Sequence, residues 1–174
     1  DKELLEKYHE DLIICSACIG GEIPQHILNG RMDKAEESVL WFKNLFGEDY
    51  YLEIQRHETH DPNAAQDVYP HQVTANKAIL ELARKHNIKV IATNDVHFVN
   101  AEDAEAHDRL ICLSTGKDLD DPNRMRYTKQ EWMKTTAEMN TIFSDIPEAL
   151  SNTLEIADKV EFYSIDHGPI MPTF

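Results

Sequence analysis

No stretch of this chain approaches the roughly 18 consecutive apolar residues that a membrane-spanning helix needs, and the charged opening DKELLEKYHEDL has no apolar centre like that of a signal peptide. The expectation is a cytoplasmic protein with no membrane segment. Cysteine is scarce: Cys15, Cys18 and Cys112 are too few and too unevenly placed for a secreted disulfide framework, so reduced thiols are expected. CSAC has the spacing of a redox or zinc CxxC, but no second CxxC follows, which removes the basis for a zinc ribbon. Basic residues are also in short supply, 17 against 32 acidic, for a formal net charge of −15. Gripping nucleic acid takes clustered Lys and Arg, so if this segment serves DNA, other segments must hold it. Internal repeats and low-complexity tracts are absent. The first residue is Asp1 and it opens directly into a helical pattern, as expected of a piece of a longer chain.

What is present suffices for one domain with a core: 174 residues, 41% of them hydrophobic and 8% aromatic. DLIICSACI (11–19), ending in two glycines, suits a buried parallel strand. From Asp33 the pattern is helical, with Asp33 as N-cap, Glu36 in a capping-box position, Val39, Phe42 and Phe46 in phase, and Gly47 as the stop. YYLEIQRH (50–57) reads as a second strand with Glu53, Gln55 and His57 on one face. A polar loop leads to a helix from about Pro70 to His86, with Val73, Ile79, Leu82 and Ala83 facing inward, and then to the strand opening VIATNDVHF (90–98). Three apolar strands separated by amphipathic helices predict an α/β fold with a parallel sheet, whose sites gather at strand C-terminal ends. Cys18, His57, Asp95 and His97 fall there.

After residue 100 the pattern turns helical. Asn100 is placed to cap a helix with Ala104, His107, Leu110 and Ile111 on one face, and TKQE (128–131) has the form of a capping box. Two more helices are predicted near 136–144 and 147–160, the second with Leu150, Leu154, Ala157 and Val160 as its apolar stripe. YSIDHGPIMPTF reads as an extended exit.

In an extended strand Asp95 and His97 share a side, with roughly 6 to 7 Å between their α-carbons. That spacing serves either a metal-ligand pair or a hydrogen-bonded pair. Imidazole and carboxylate suit first-row divalent ions, and a thiolate adds a preference for zinc, so the four strand-end residues are candidates for part of a hydrolytic metal site. Each also has a plainer role open to it: Asp95 fixing a loop or capping a turn, His97 satisfied by a backbone carbonyl, Cys18 as a small core hydrophobe, and His57, taken alone, is the weaker candidate of the two histidines. His60 and His71 read as solvated, and His107 as a core or interface histidine. DLDDPNR lacks the spacing and terminal Glu of an EF-hand loop. Arg56, Arg124 and Arg126 either meet phosphates or balance neighbouring carboxylates.

Four ordered blocks, ICSACIGGEIPQHIL, YYLEIQRH, VIATNDVHFVNAEDAEAHDRLICLSTGK and LDDPNRMRY, followed by EALSNTLEIADKV, resemble the PHP (polymerase and histidinol phosphatase) region of bacterial DNA polymerase III alpha subunits nearly end to end. The resemblance implies a partial, distorted (β/α)7 barrel of parallel strands with metal ligands at the strand ends. Residues 1–100 would be the C-terminal part of that barrel, and 101–174 a helical segment completing the domain and leading toward the polymerase palm. Carried over residue by residue, it implies Cys18, His57, Asp95 and His97 as metal ligands, with no polymerase catalytic residue in the chain. Zinc or manganese would be the site's metal, and magnesium would serve the parent polymerase. The parent would carry out DNA-templated synthesis on DNA and dNTPs, while the PHP region contributes 3′–5′ proofreading or a scaffold remnant for an exonuclease or other replicase subunit. The family's His-x-His pair and its further ligands on earlier strands are missing. A stand-alone PHP phosphoesterase is the alternative.

Overall fold

The computed structural model describes residues 1–173, and in it the three apolar runs become three parallel strands, β1 (Ile14–Cys15), β2 (Tyr50–Ile54) and β3 (Val90–Ala92), in the order β1-β2-β3. Ile14 lies opposite Tyr50 in the first pairing and Glu53 opposite Ile91 in the second. The α/β class and the parallel sheet are those read from the sequence. Among the described residues the three strands form an open sheet and do not close into a barrel. They are also shorter than their apolar runs: β1 keeps two residues of the 11–19 run and β2 stops at Ile54.

Helices α1 (Lys2–Lys7), α2 (Glu22–Leu28) and α3 (Met32–Phe46) precede β2; α4 (Val68–His86) joins β2 to β3. Beyond the sheet come α5 (Ala104–Thr115), α6 (Thr136–Ile142) and α7 (Pro147–Lys159). Helix α3 starts one residue before Asp33, which sits in the first turn, where its charge favours the helix dipole, and is not the cap. Gly47 ends it with a positive φ of 57°, a conformation costly for residues with a Cβ.

Strand β2 is buried on both faces. Tyr50 stacks on Phe42 of α3, with ring centroids 5.4 Å apart. Tyr51 points the other way, where its hydroxyl donates to Glu155 of α7 at 2.6 Å. The core joins Leu52 and Ile54 to Val39 of α3, Ile79, Leu82 and Ala83 of α4, and Phe143, Ile146 and Ala149 from the C-terminal helices.

Several inward faces differ from the periodicity reading. In α4 the buried set is Gln72, Ala75, Asn76, Ile79, Leu82 and Ala83, while Val73 is exposed: two amides take core positions because strand-end polar groups need partners there. In α5 Asp108 and Cys112 are buried and Leu110 is exposed. In α7 Ala149 is fully buried, whereas Leu154, Ala157 and Val160 are exposed; Asn152 and Glu155 face the sheet to bond Val90 O and Tyr51. Half of the TKQE box forms, with Glu131 Oε1 accepting from Thr128 N at 3.0 Å while the Thr128 hydroxyl accepts from Gln130 N instead of Glu131 N, and no helix follows it. Lys129 takes a left-handed φ of 63° and Trp132 pairs with Phe98 as an isolated parallel bridge. The box that does start a helix is Thr135 with Glu138, at α6.

Arg124 balances a carboxylate, as its sequence context suggested, but in the interior: its guanidinium meets Asp108 through two bonds of 2.6 and 2.7 Å, with side chains 5% and 12% exposed. Removing one member of such a pair strands the other charge. Arg124→Ala is expected to cost about 3–5 kcal/mol in urea unfolding, and Arg124→Met with Asp108→Leu to recover most of it. A loss under 1 kcal/mol in the single variant would count against this pair as the anchor of α5.

Candidate functional site

Two of the four strand-end candidates meet directly. Asp95 Oδ1 and His97 Nε2 are 3.5 Å apart, with 39% and 32% of their side chains exposed. The route differs from the expected one, because the strand ends at Ala92 and Asp95 has a left-handed φ of 45°, so a turn and not strand alternation brings them together. Asp tolerates this conformation better than most residues with a side chain.

His57 stands apart. It is 2% exposed, and both ring nitrogens are engaged. Its backbone N–H donates to Gln72 Oε1 at 2.7 Å, which turns the Gln72 amino group toward His57 Nδ1, 3.1 Å away. Nδ1 is therefore the acceptor, and Nε2–H donates to Asn94 O at 3.1 Å. Burial pushes the imidazole below its ordinary range, against the opposing pull of Glu131, whose Oε1 lies 3.8 Å from Nδ1. The ring is neutral, with no lone pair free for a metal.

Cys18 is half-buried at the start of the loop into α2 and lines a small cavity with Glu53, Gln55, Gln72 and Asn76. Gly21 lets that loop fold back, since a Cβ there would stand 2.5 Å from Ser16 O. Among the described residues no three His, Cys, Asp or Glu side chains converge as a metal-holding group.

Sequence reasoning missed much of what surrounds the pair. His97 packs against Tyr127 and His107, with centroids 4.6 and 5.5 Å away. Burial raises the Tyr127 hydroxyl pKa, helped by the nearby carboxylates of Asp95 and Glu131, and burial with the neighbouring His97 lowers His107. Glu131 is 2% exposed and its Oε2 has no hydrogen-bond partner. Burial brings Lys134 down to about 8, although Glu131 and Glu138 pull the other way. For α4 the signal was available: Gln72, Asn76, Ile79 and Ala83 step by three and four, a face that leaves Val73 outside.

A tetrahedral metal with ligand bonds near 2.0–2.2 Å has donor–donor edges of about 3.3–3.6 Å, so the Asp95–His97 separation suits two ligands of one small divalent ion. The four-residue set does not fit one centre, because His57 lacks a free nitrogen. His60 and His71 are exposed, as their contexts suggested.

The PHP domain family model matches residues 1–57. Over its full length the chain is 43% identical to DNA polymerase III subunit alpha of Borreliella burgdorferi and 39% identical to that of Campylobacter jejuni, covering 14% and 15% of those proteins. The Thermus aquaticus subunit is 37% identical over 90% of the chain, which covers 12% of it. The chain thus spans about one seventh of the length of the curated relatives it matches.

A histidine held neutral by burial binds fewer protons folded than unfolded, so its contribution to stability is complete above the unfolded value near 6.5 and is lost as pH falls below it. Nitrogen-15 NMR is expected to find His57 as the Nε2–H tautomer, titrating below the ordinary histidine range. Ordinary titration near 6.5 would contradict the assignment.

Proposed function

The chain belongs with the bacterial DNA polymerase III alpha subunits, as a segment homologous to about one seventh of their length, and on that premise we propose that it is a PHP-region module of a replicative DNA polymerase. DNA-templated synthesis is the work of the parent, carried by residues outside this segment. Residues 101–174 complete the same unit as 1–100, a reading supported by Arg56 at the end of β2, which bonds Asp145 through two contacts of 2.6 and 2.8 Å.

Within this reading the segment's metal contact is the Asp95–His97 pair. The 3.5 Å separation of two donor atoms on partly exposed side chains, just beyond the C-terminal end of β3, carries the proposal. Zinc or manganese held there would supply Lewis acidity toward a phosphate ester. Cys18 is proposed as a further donor from beyond the end of β1, on the other side of β2 from the pair, and His57 as an internal strut. The protein's own residues would orient the ion from one side, with the remaining donors coming from elsewhere in a longer chain, which makes the segment a contributor to a proofreading site and not its whole. The scaffold reading, in which this face binds an exonuclease or another replicase subunit, is favoured where His57 is sealed by Gln72 and Asn94. A stand-alone phosphoesterase ranks below both because no three-ligand group forms among the described residues.

Paramagnetic broadening by manganese tests the contact. His97 ring signals are expected to broaden at the lowest manganese concentrations, ahead of those of His57, which is separated from the pair by Asn94. Asp95→Asn, which keeps a side chain tolerant of the left-handed turn, should raise the manganese concentration needed by about tenfold or more with little change in Tm. No broadening at His97 in the wild-type chain would remove the metal reading and leave the scaffold. The 174-residue chain alone is expected to extend no primer, and templated nucleotide incorporation by the purified chain would overturn its assignment as a module.

A further inference from the structure

Asn94 is 7% exposed and ties together three segments that meet beside the Asp95–His97 pair. Its side-chain amino group donates to Gln130 O at 3.0 Å and to Trp132 O at 2.8 Å. Its backbone carbonyl accepts from His57 Nε2–H, anchoring the same residue to the end of β2. The gripped segment returns the contact: His97 N–H donates to Glu131 O at 2.8 Å, and Met133 N–H to Phe98 O at 3.1 Å. Between these fixed points Asp95 is held in its left-handed conformation, and Tyr127, which packs on His97, lies just ahead of the gripped residues.

We infer that Asn94 is the positioning residue of the Asp95–His97 pair, setting the separation of the two donor atoms by clamping residues 130–132 against the turn that carries them. This rests on the reading of that pair as a metal contact. An amide is the side chain that fits. It offers two N–H donors to two carbonyls at once, whereas aspartate would place oxygen against oxygen and alanine would leave Trp132 O without this donor and Gln130 O with Lys134 Nζ alone. The clamp sits one residue before Asp95, so loss of its bonds frees the turn while the sheet and the core around Ile79 and Leu82 keep their contacts.

Asn76 provides a matched control. It is 9% exposed and its side-chain amino group donates to Gln55 O at 2.8 Å, another buried amide-to-carbonyl bond, but one that ties α4 to the end of β2 and not residues 130–132 to the turn at Asp95. Manganese broadening of the His97 ring is to be recorded in the 174-residue chain for the wild type, Asn94→Ala, Asn94→Asp and Asn76→Ala, alongside Tm. Both alanine variants are expected to lose Tm, and only Asn94→Ala to need about tenfold more manganese. Asn94→Asp adds negative charge beside Asp95, which by itself would draw manganese in, so weaker broadening in that variant isolates the geometric effect from charge. It also decides the matter if Asn94→Ala does not fold. Wild-type-like or stronger broadening in Asn94→Asp, or equal weakening in Asn76→Ala, would overturn the inference. Absence of broadening in the wild type would instead overturn the metal reading beneath it.

Discussion

A strand buried on both faces has no water for its polar groups, and β2 imposes that condition on everything around it. Its central residues are almost fully enclosed between α3 and α7, so each backbone N–H and C=O near its end must find a protein partner. Neighbouring elements supply them: Ser16 Oγ accepts from Glu53 N, Thr93 N donates to Ile54 O, and Asn76 reaches Gln55 O. Gln72 takes the next position, bonding both the backbone and the ring of His57. The amides in the inner face of α4 are therefore a consequence of the strand's burial. Val73 is displaced to the surface because the face that touches β2 already belongs to residues that can bond it.

The same requirement separates two histidines that look alike in sequence. His57 ends the buried strand and is drawn into the network, with one nitrogen accepting and the other donating. His97 lies past the turn at Asp95, with no hydrogen bond closing its Nε2 among the described residues, and keeps that nitrogen facing Asp95. Ring contacts with Tyr127 and His107 fix its plane, leaving the exposed pair as the chemically available part of the strand ends.

Charge follows a related pattern. Against a net charge of −15, the cations around the sheet are engaged by carboxylates: Arg56 by Asp145, Lys129 by Asp61 and Glu105, Lys89 by Glu155, and Lys159 by Asp49. Most of these pairs are partly exposed, where each stabilises by less than about 1 kcal/mol. Their effect is to tie distant parts of the chain together and to leave little positive surface for phosphates.

Much was legible in the chain itself. Apolar runs such as YYLEI and VIA marked the parallel strands, since strands buried on both faces are apolar without alternation, and Gly47 marked the end of α3 through local chemistry, whereas the capping box ahead of α6 reads as Thr128–Glu131 in the sequence and lies at Thr135–Glu138 in the structure. Asp95 and His97 were legible as a polar pair at a strand end. What required the tertiary structure was every choice between partners far apart in sequence: which face of α4 and α7 turns inward, that the Thr128–Glu131 box starts no helix, that His57 has its lone pair filled by Gln72, and that Asn94 bonds residues 130 and 132. Periodicity reports hydrophobicity along one element, whereas these outcomes depend on which buried donors and acceptors the folded chain brings within about 3 Å of one another.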